Sequence, residues 1–202
     1  RVTFDPNYPA SRQPDPFSCA PSALDWAMRS LGRHPDDRWI TQDMIRLGLV
    51  TPEHGLMNHT GAGIVTWLQI NDAEHYGSDG YGISNTTSPI TWEQLGPEID
   101  PAPPYPILLG LPNWGGPGKG HWVGVRSFKD GRMQLANPAT GATFGQSSLN
   151  REEFNARAGG NASIVRVLHN DLLTTAPPPL PPVDPLARPW EEIAAIRAQV
   201  DA

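Results

Sequence analysis

Ala20, Ala23, Leu24, Ala27, Met28 and Leu31 recur at the spacing of a 3.6-residue repeat and predict an amphipathic helix. Pro21 sits in its first turn, where a missing N–H costs nothing, and Gly32 stops it. Further helices are predicted over 41–47, ahead of Gly48, and over 64–70, entered through Thr60-Gly-Ala-Gly63. Gly61 and Gly63 read as a flexible loop entry, because no Gly-Lys-Ser/Thr ending or preceding strand supports a phosphate loop. Thr91-Trp-Glu-Gln94 is a capping-box pattern that starts another helix.

The period then changes to that of strands. Residues 107–111, Ile-Leu-Leu-Gly-Leu, read as a buried strand, a Gly- and Pro-rich stretch follows over 112–120, and 121–128 reads as a second strand. Asp130-Gly131 is a hairpin turn, 132–136 returns as a third strand, and Asn137-Pro138 ends it. The β-branched run over 163–168 is a last strand. Helices first and antiparallel strands second make an α+β domain.

Composition changes abruptly after this strand. A proline-rich tract of polyproline II type precedes Pro189, after which Trp190, Ile193, Ile196 and Val200 mark a short amphipathic helix. The predicted organisation is therefore one globular domain over 1–170, a spacer over 171–188 and a helix over 189–202, which either docks back on the domain or begins a further module beyond residue 202. The chain opens on Arg1 and not on Met, which implies processing or an excerpt of something longer.

The 202 residues are 38% hydrophobic and 18% charged, enough for one core. A net charge of −6 gives no attraction to nucleic acid or anionic lipid, and no run of 18 apolar residues predicts a membrane span. Asn58-His-Thr, Asn85-Thr-Thr and Asn161-Ala-Ser fit a glycosylation triplet, a pattern that chance produces readily.

Cys19 is the only cysteine, so it forms no internal disulfide, and it opens the first predicted helix. A lone cysteine is commonly a small buried hydrophobe. At a helix N-terminus, however, the dipole and free N–H groups are expected to lower its pKa toward a reactive thiolate. His121 opens one strand and Asn137 closes its antiparallel neighbour, so the two side chains can meet at one sheet edge. Cys, His and Asn in that order make a nucleophile, a base and an orienting amide. His34, His54, His59, His75 and His169 read as surface or capping residues. The chain has no H-E-x-x-H, no second cysteine and no calcium loop, and neither metal nor cofactor is expected.

Gln13, Cys19, Gly120-His121 and Asn137-Pro138 together resemble the papain-like cysteine peptidases, most closely the bacterial branch of double-glycine leader peptidases and their free-standing relatives. In that branch a Gln precedes the nucleophile by six positions, a Gly-His strand carries the base, and Asp-Pro or Asn-Pro ends the next strand. The resemblance covers roughly residues 10–155. Two positions depart from it: Ala20 stands where the family usually has Gly, and Asn137 where this branch commonly has Asp. The resemblance implies a papain-like fold with Cys19 at a helix start and His121 and Asn137 on the sheet. It further implies that Cys19 attacks a carbonyl, that His121 manages the proton, and that Gln13 with the Cys19 N–H binds the oxyanion. The implied activity is hydrolysis of peptide or isopeptide bonds, on a peptide or protein substrate that includes cell-wall peptides for some relatives. The detached tail fits a secreted, envelope or virion-borne multi-module protein. Two rivals stand beside this: a non-catalytic papain-like binding or structural domain, and an acyltransferase or deamidase with the same triad. Trp114, in Asn-Trp-Gly-Gly-Pro-Gly-Lys-Gly, is expected to wall the cleft or to anchor a turn.

Overall fold

A computed structural model describes residues 2–57, 59–76, 81, 84–140, 144–169 and 172; for 72–76 it describes the backbone alone. Apart from Leu172, the predicted spacer lies outside these residues, as does the predicted C-terminal helix. So do the side chain of His75 and Asn58 of the first glycosylation triplet.

The helices α1 (Cys19–Ser30), α2 (Asp37–Arg46), α3 (Ala62–Tyr76), α4 (Trp92–Ile99) and α5 (Arg151–Ala158) surround a six-stranded sheet and a short hairpin. The hairpin pairs β1 (Val50–Thr51) with β2 (Gly55–Leu56). The main sheet contains β3 (Asn85–Thr87), β4 (Ile107–Leu111), β5 (His121–Lys129), β6 (Arg132–Ala136), β7 (Ser148–Leu149) and β8 (Ser163–Arg166). Their spatial order is β3-β8-β4-β5-β6-β7, antiparallel throughout.

The near-continuous apolar runs of β4 and β5 follow from burial of both sheet faces. Leu108, Trp122, Ala136, Val165 and Val167 pack with α1, α2 and α3. Ile107, Leu109, Leu111, Val123, Val125, Met133 and Leu135 pack with α4 and α5 on the other side. Alternation along each strand assigns neighbouring residues to opposite layers. A sheet covered on one face only would have shown alternating exposed positions, whereas β4 and β5 through Val125 are buried at every position.

The helices predicted within the described residues are present, with shifted ends. α2 starts at Asp37 because the Asp36 carboxylate caps it, accepting from the Arg38 N–H. α4 carries both halves of its capping box, Thr91 with Gln94. α5 was not expected, and it alters the helices-then-strands order; its signal is Asn150-Arg-Glu-Glu153, a second complete capping box. Asp130 and Gly131 both have positive φ, 53° and 72°, as a tight two-residue hairpin requires.

Two close approaches set the position of the helical layer. A Cβ at Gly124 of β5 would lie 2.2 Å from the Trp26 ring of α1. A Cβ at Gly61 would lie 2.4 Å from Val165, so this glycine serves tight packing of the α3 entry on the sheet rather than loop flexibility. The segment before α1 is tied along that helix: Asp5 N–H donates to Ser30 O at 2.8 Å, Trp26 Nε1 to Tyr8 O at 3.0 Å, and Ser11 Oγ to the buried Asp25 carboxylate. It ends with Gln13 N–H on Pro138 O at 2.9 Å. Gln13 thereby reaches the end of β6.

Candidate active site

Cys19 is the first residue of α1. Ser18, at the N-cap, does not close the helix with its side chain; its hydroxyl donates to Asp15 O at 3.3 Å. Pro21 has no N–H and the Ser22 N–H donates to Ser18 O at 2.9 Å, while the Cys19 and Ala20 N–H groups act on the Cys19 thiol. Asp15 also accepts the Phe17 N–H through Oδ1, a turn that leads the chain into Cys19.

His121 begins β5, pairs with Leu111 of β4 and is 3% exposed. Asn137 follows Ala136, which pairs with Gly124, so His121 is a diagonal neighbour of Asn137 across the ladder. Their side chains meet: His121 Nε2 lies 2.9 Å from Asn137 Oδ1. The Asn137 amide has one consistent orientation. Its Nδ2 donates to Phe144 O and to Gln146 O at 2.8 Å, and its Oδ1 accepts the Ala139 N–H at 3.0 Å. Rotating the amide would set a donor against that N–H and an acceptor against two carbonyls. Oδ1 must therefore accept from His121 as well, so Nε2 carries the ring proton and Nδ1 keeps its lone pair.

Trp114 and Phe144 flank the imidazole, with ring centroids 5.2 Å and 5.7 Å from it. Trp114 thus packs against the proposed base itself and is 3% exposed. The guanidinium of Arg157 lies over its ring at 4.7 Å, holding it from α5.

Cys19 and His121 line one cavity of about 350 Å³, together with Phe17, Gly55, Leu56 and Trp122. A second hollow of similar size, about 350 Å³, is lined by Gln13, Pro138 and Thr140. The two share Pro16, Gly120, His121 and Phe144, so His121 borders both hollows. Gln13 does not line the cysteine cavity. Its Nε2 donates to Asp15 O at 2.8 Å, and its Oε1 is buried without a hydrogen-bond partner.

Burial pushes the Cys19 thiol up from its ordinary value, against the N–H groups of Trp122, Ala20 and Cys19 itself, which pull it down. The expected lowering by the helix terminus is thus outweighed by desolvation. Burial likewise pulls His121 down to about 4, with only the Asn137 hydrogen bond opposing it. Burial thus favours the neutral thiol and the neutral imidazole in the cavity that both residues line.

His34, His54 and His59 are exposed, and the latter two reach the rim of the cysteine cavity. His169 is a correction: it was expected at the surface or at a cap, but is 5% exposed with its ring 5.0 Å from that of Tyr81, because the chain beyond β8 stays within the core. Phe144, Gln146 and Arg157 were not singled out in the sequence; of these only Gln146 has a nearby cue, the Glu153 capping signal. Among the described residues, no group of three or more His, Cys, Asp or Glu side chains is placed to hold a metal ion. No helix among them is long and apolar enough to cross a membrane.

No family profile and no curated protein matches this chain by sequence. Solved structures do match its shape. The peptidase domain of Streptococcus ComA, described as a bifunctional ABC transporter involved in a quorum-sensing pathway, superposes with a TM-score of 0.55 at 18% identity, over 80% of this chain and 100% of that one. The fold is that of a papain-like C39 peptidase domain. A C39-like peptidase from Bacillus anthracis is similar over 84% of this chain and 98% of its own, with TM-score 0.50 and 12% identity. The C39 fold accounts for the α+β arrangement expected from the sequence, with a helical layer packed on an antiparallel sheet.

Proposed function

We propose that this domain is a cysteine peptidase that hydrolyses peptide or isopeptide bonds with Cys19, His121 and Asn137. One observation carries the reading: the imidazole that shares a cavity with the only cysteine has its Nε2 proton held by a fully oriented amide. That leaves Nδ1 as the one ring atom able to accept a proton.

The chemistry follows from the neutral resting pair. The thiol proton passes to His121 Nδ1 as Cys19 Sγ bonds to the substrate carbonyl carbon, and the carbonyl π pair moves onto oxygen. The Cys19 N–H, in a first turn of α1 that the Ser18 side chain does not cap, would donate to that oxyanion. Gln13 joins it once its amide turns from the Asp15 carbonyl. The C–N bond then breaks, and the His121 proton goes to the leaving amine. Water attacks the thioester carbonyl, giving its proton back through His121, and Cys19 is released as the thiol. A peptide crossing from the Cys19 cavity into the Gln13 hollow would pass over His121. The proline tract following the domain supports a secreted or virion-borne, multi-module setting.

Incubation of the full chain with a mixed peptide pool, followed by mass spectrometry, tests this reading. Paired fragments whose masses sum to substrate plus water are expected, and Cys19→Ala should abolish them. Amine adducts in place of acids would make the protein an acyltransferase, and products that persist in Cys19→Ala would rule out the thiol mechanism.

A further inference from the structure

We infer that Gln146 and Glu153 are positioning residues, which act through Asn137 to keep the His121 proton on Nε2; the inference rests on the triad proposed above. Asn137 holds His121 only as well as its own amide is held, and one of its three anchors, beside Phe144 O and the Ala139 N–H, is the carbonyl of Gln146, 2.8 Å away. The carbonyl belongs to a stretch outside any regular element, so no sheet ladder fixes it at position 146. The next residue is held to β6 by the Leu135 N–H on Ser147 O at 2.8 Å, and the side chain adds a tie at 146 itself: Gln146 Nε2 donates to Glu153 Oε1 at 3.0 Å.

Glu153 is itself rigidly placed. Its Oε2 accepts the Asn150 N–H at 2.8 Å and Arg132 of β6 at 2.7 Å. The first bond is half of the α5 capping box, and the second ties that helix start to the sheet. Capping uses one carboxylate oxygen, and Gln146 takes the other. A glutamate needed only as a cap would not require that second bond. Burial raises the Glu153 pKa, but the Asn150 N–H, the charge of Arg132 and the hydrogen bonds from Gln146 and Arg132 together outweigh it and hold the carboxylate below its usual range, so it accepts across neutral pH. The chain of contacts runs from Arg132 and α5 through Glu153, Gln146 and Asn137 to His121.

The donor at 146 and the acceptor at 153 can be exchanged, which provides the test. In the full-length protein, ring-15N-labelled histidine reports by NMR which His121 nitrogen bears the proton, with or without turnover. The wild type should show Nε2–H alone. Gln146→Glu sets two carboxylates together and should release the 146 carbonyl, mixing the two tautomers and lowering kcat by about tenfold with KM unchanged. Glu153→Gln should do the same in smaller measure. The double exchange, Q146E with E153Q, restores one donor facing one acceptor, and the amide oxygen placed at position 153 still serves Asn150 and Arg132; tautomer and kcat should both recover. Gln146→Met removes the donor without adding charge, and stands in for Gln146→Glu if that variant does not fold.

A His121 tautomer as pure in folded Gln146→Glu or Gln146→Met as in the wild type would overturn the inference, as would a double exchange no better than Gln146→Glu. If the wild type cleaves no peptide, the proposed function fails by itself, while the NMR comparison still decides whether this chain of contacts governs His121.

Discussion

Trp26 of α1 occupies the space that a side chain at Gly124 of β5 would fill, since a Cβ there would come within 2.2 Å of the indole. The helix therefore rests on the strand's backbone. Cys19 lies seven residues before Trp26 on that helix, and His121 three residues before Gly124 on that strand, so this contact sets the relation between thiol and imidazole.

Gly124→Ala should lower stability by about 1–3 kcal/mol, the usual cost of overpacking a filled core. Activity should fall even well below the melting temperature, because relief comes from lifting α1 off β5. Thermal melts with turnover measured at 20–30 °C below the midpoint check this; a destabilised protein with normal turnover would separate the contact from the site.

At position 137 the amide should outperform the carboxylate. Asn137→Asp replaces the donor facing the Phe144 and Gln146 carbonyls with an acceptor, leaving like dipoles opposed at a part-buried site. A stability loss of roughly 1–3 kcal/mol is expected from the unmade bonds, together with lower kcat. An aspartate variant as stable and active as the wild type would show that the two carbonyls do not select the residue.

Acid should destabilise this domain through His121. Its folded value of about 4 lies below the ordinary 6.5, so between those values the unfolded chain binds the proton and the folded one does not. Stability is full above pH 6.5 and falls as pH drops toward 4, by roughly 3 kcal/mol from this group. Urea midpoints at pH 7 and pH 4.5 should differ more in the wild type than in His121→Gln, and equal differences would contradict the burial argument.

Because thiol and imidazole both rest neutral, Cys19 should not behave as a preformed ion pair. Its alkylation by iodoacetamide should keep accelerating above about pH 8.5, the ordinary thiol value, and His121→Ala should slow it near neutrality. A labelling rate that is already flat between pH 5 and 7 would mean that a thiolate–imidazolium pair exists at rest.

Gln13→Ala should lower turnover by roughly two to three orders of magnitude if its amide binds the oxyanion. Its melting temperature should change little, since Gln13 meets Pro138 through its backbone N–H, which the variant keeps. A large drop in melting temperature with normal turnover would make the Gln13–Asp15 side-chain bond structural.

Local patterns carried the elements that depend on neighbours in the chain. The apolar spacing from Ala20 to Leu31 gave α1, the Asp130-Gly131 turn gave the β5–β6 hairpin, and that hairpin by itself brings His121 near Asn137. The Asn150–Glu153 cap of α5 is equally local, but the helix it opens shows no apolar stripe in the sequence, since only Phe154 and Ala158 are buried. Other features have no local signal, because their causes are distant in sequence. Burial of both sheet faces, the Gly124 seat for Trp26, and the Phe144 and Gln146 carbonyls that orient Asn137 arise only when separate segments pack together. The same is true of the charge state. A helix start seen alone promises a lowered thiol pKa, but packing removes water from Cys19 and His121 together, and desolvation then outweighs what the backbone N–H groups supply.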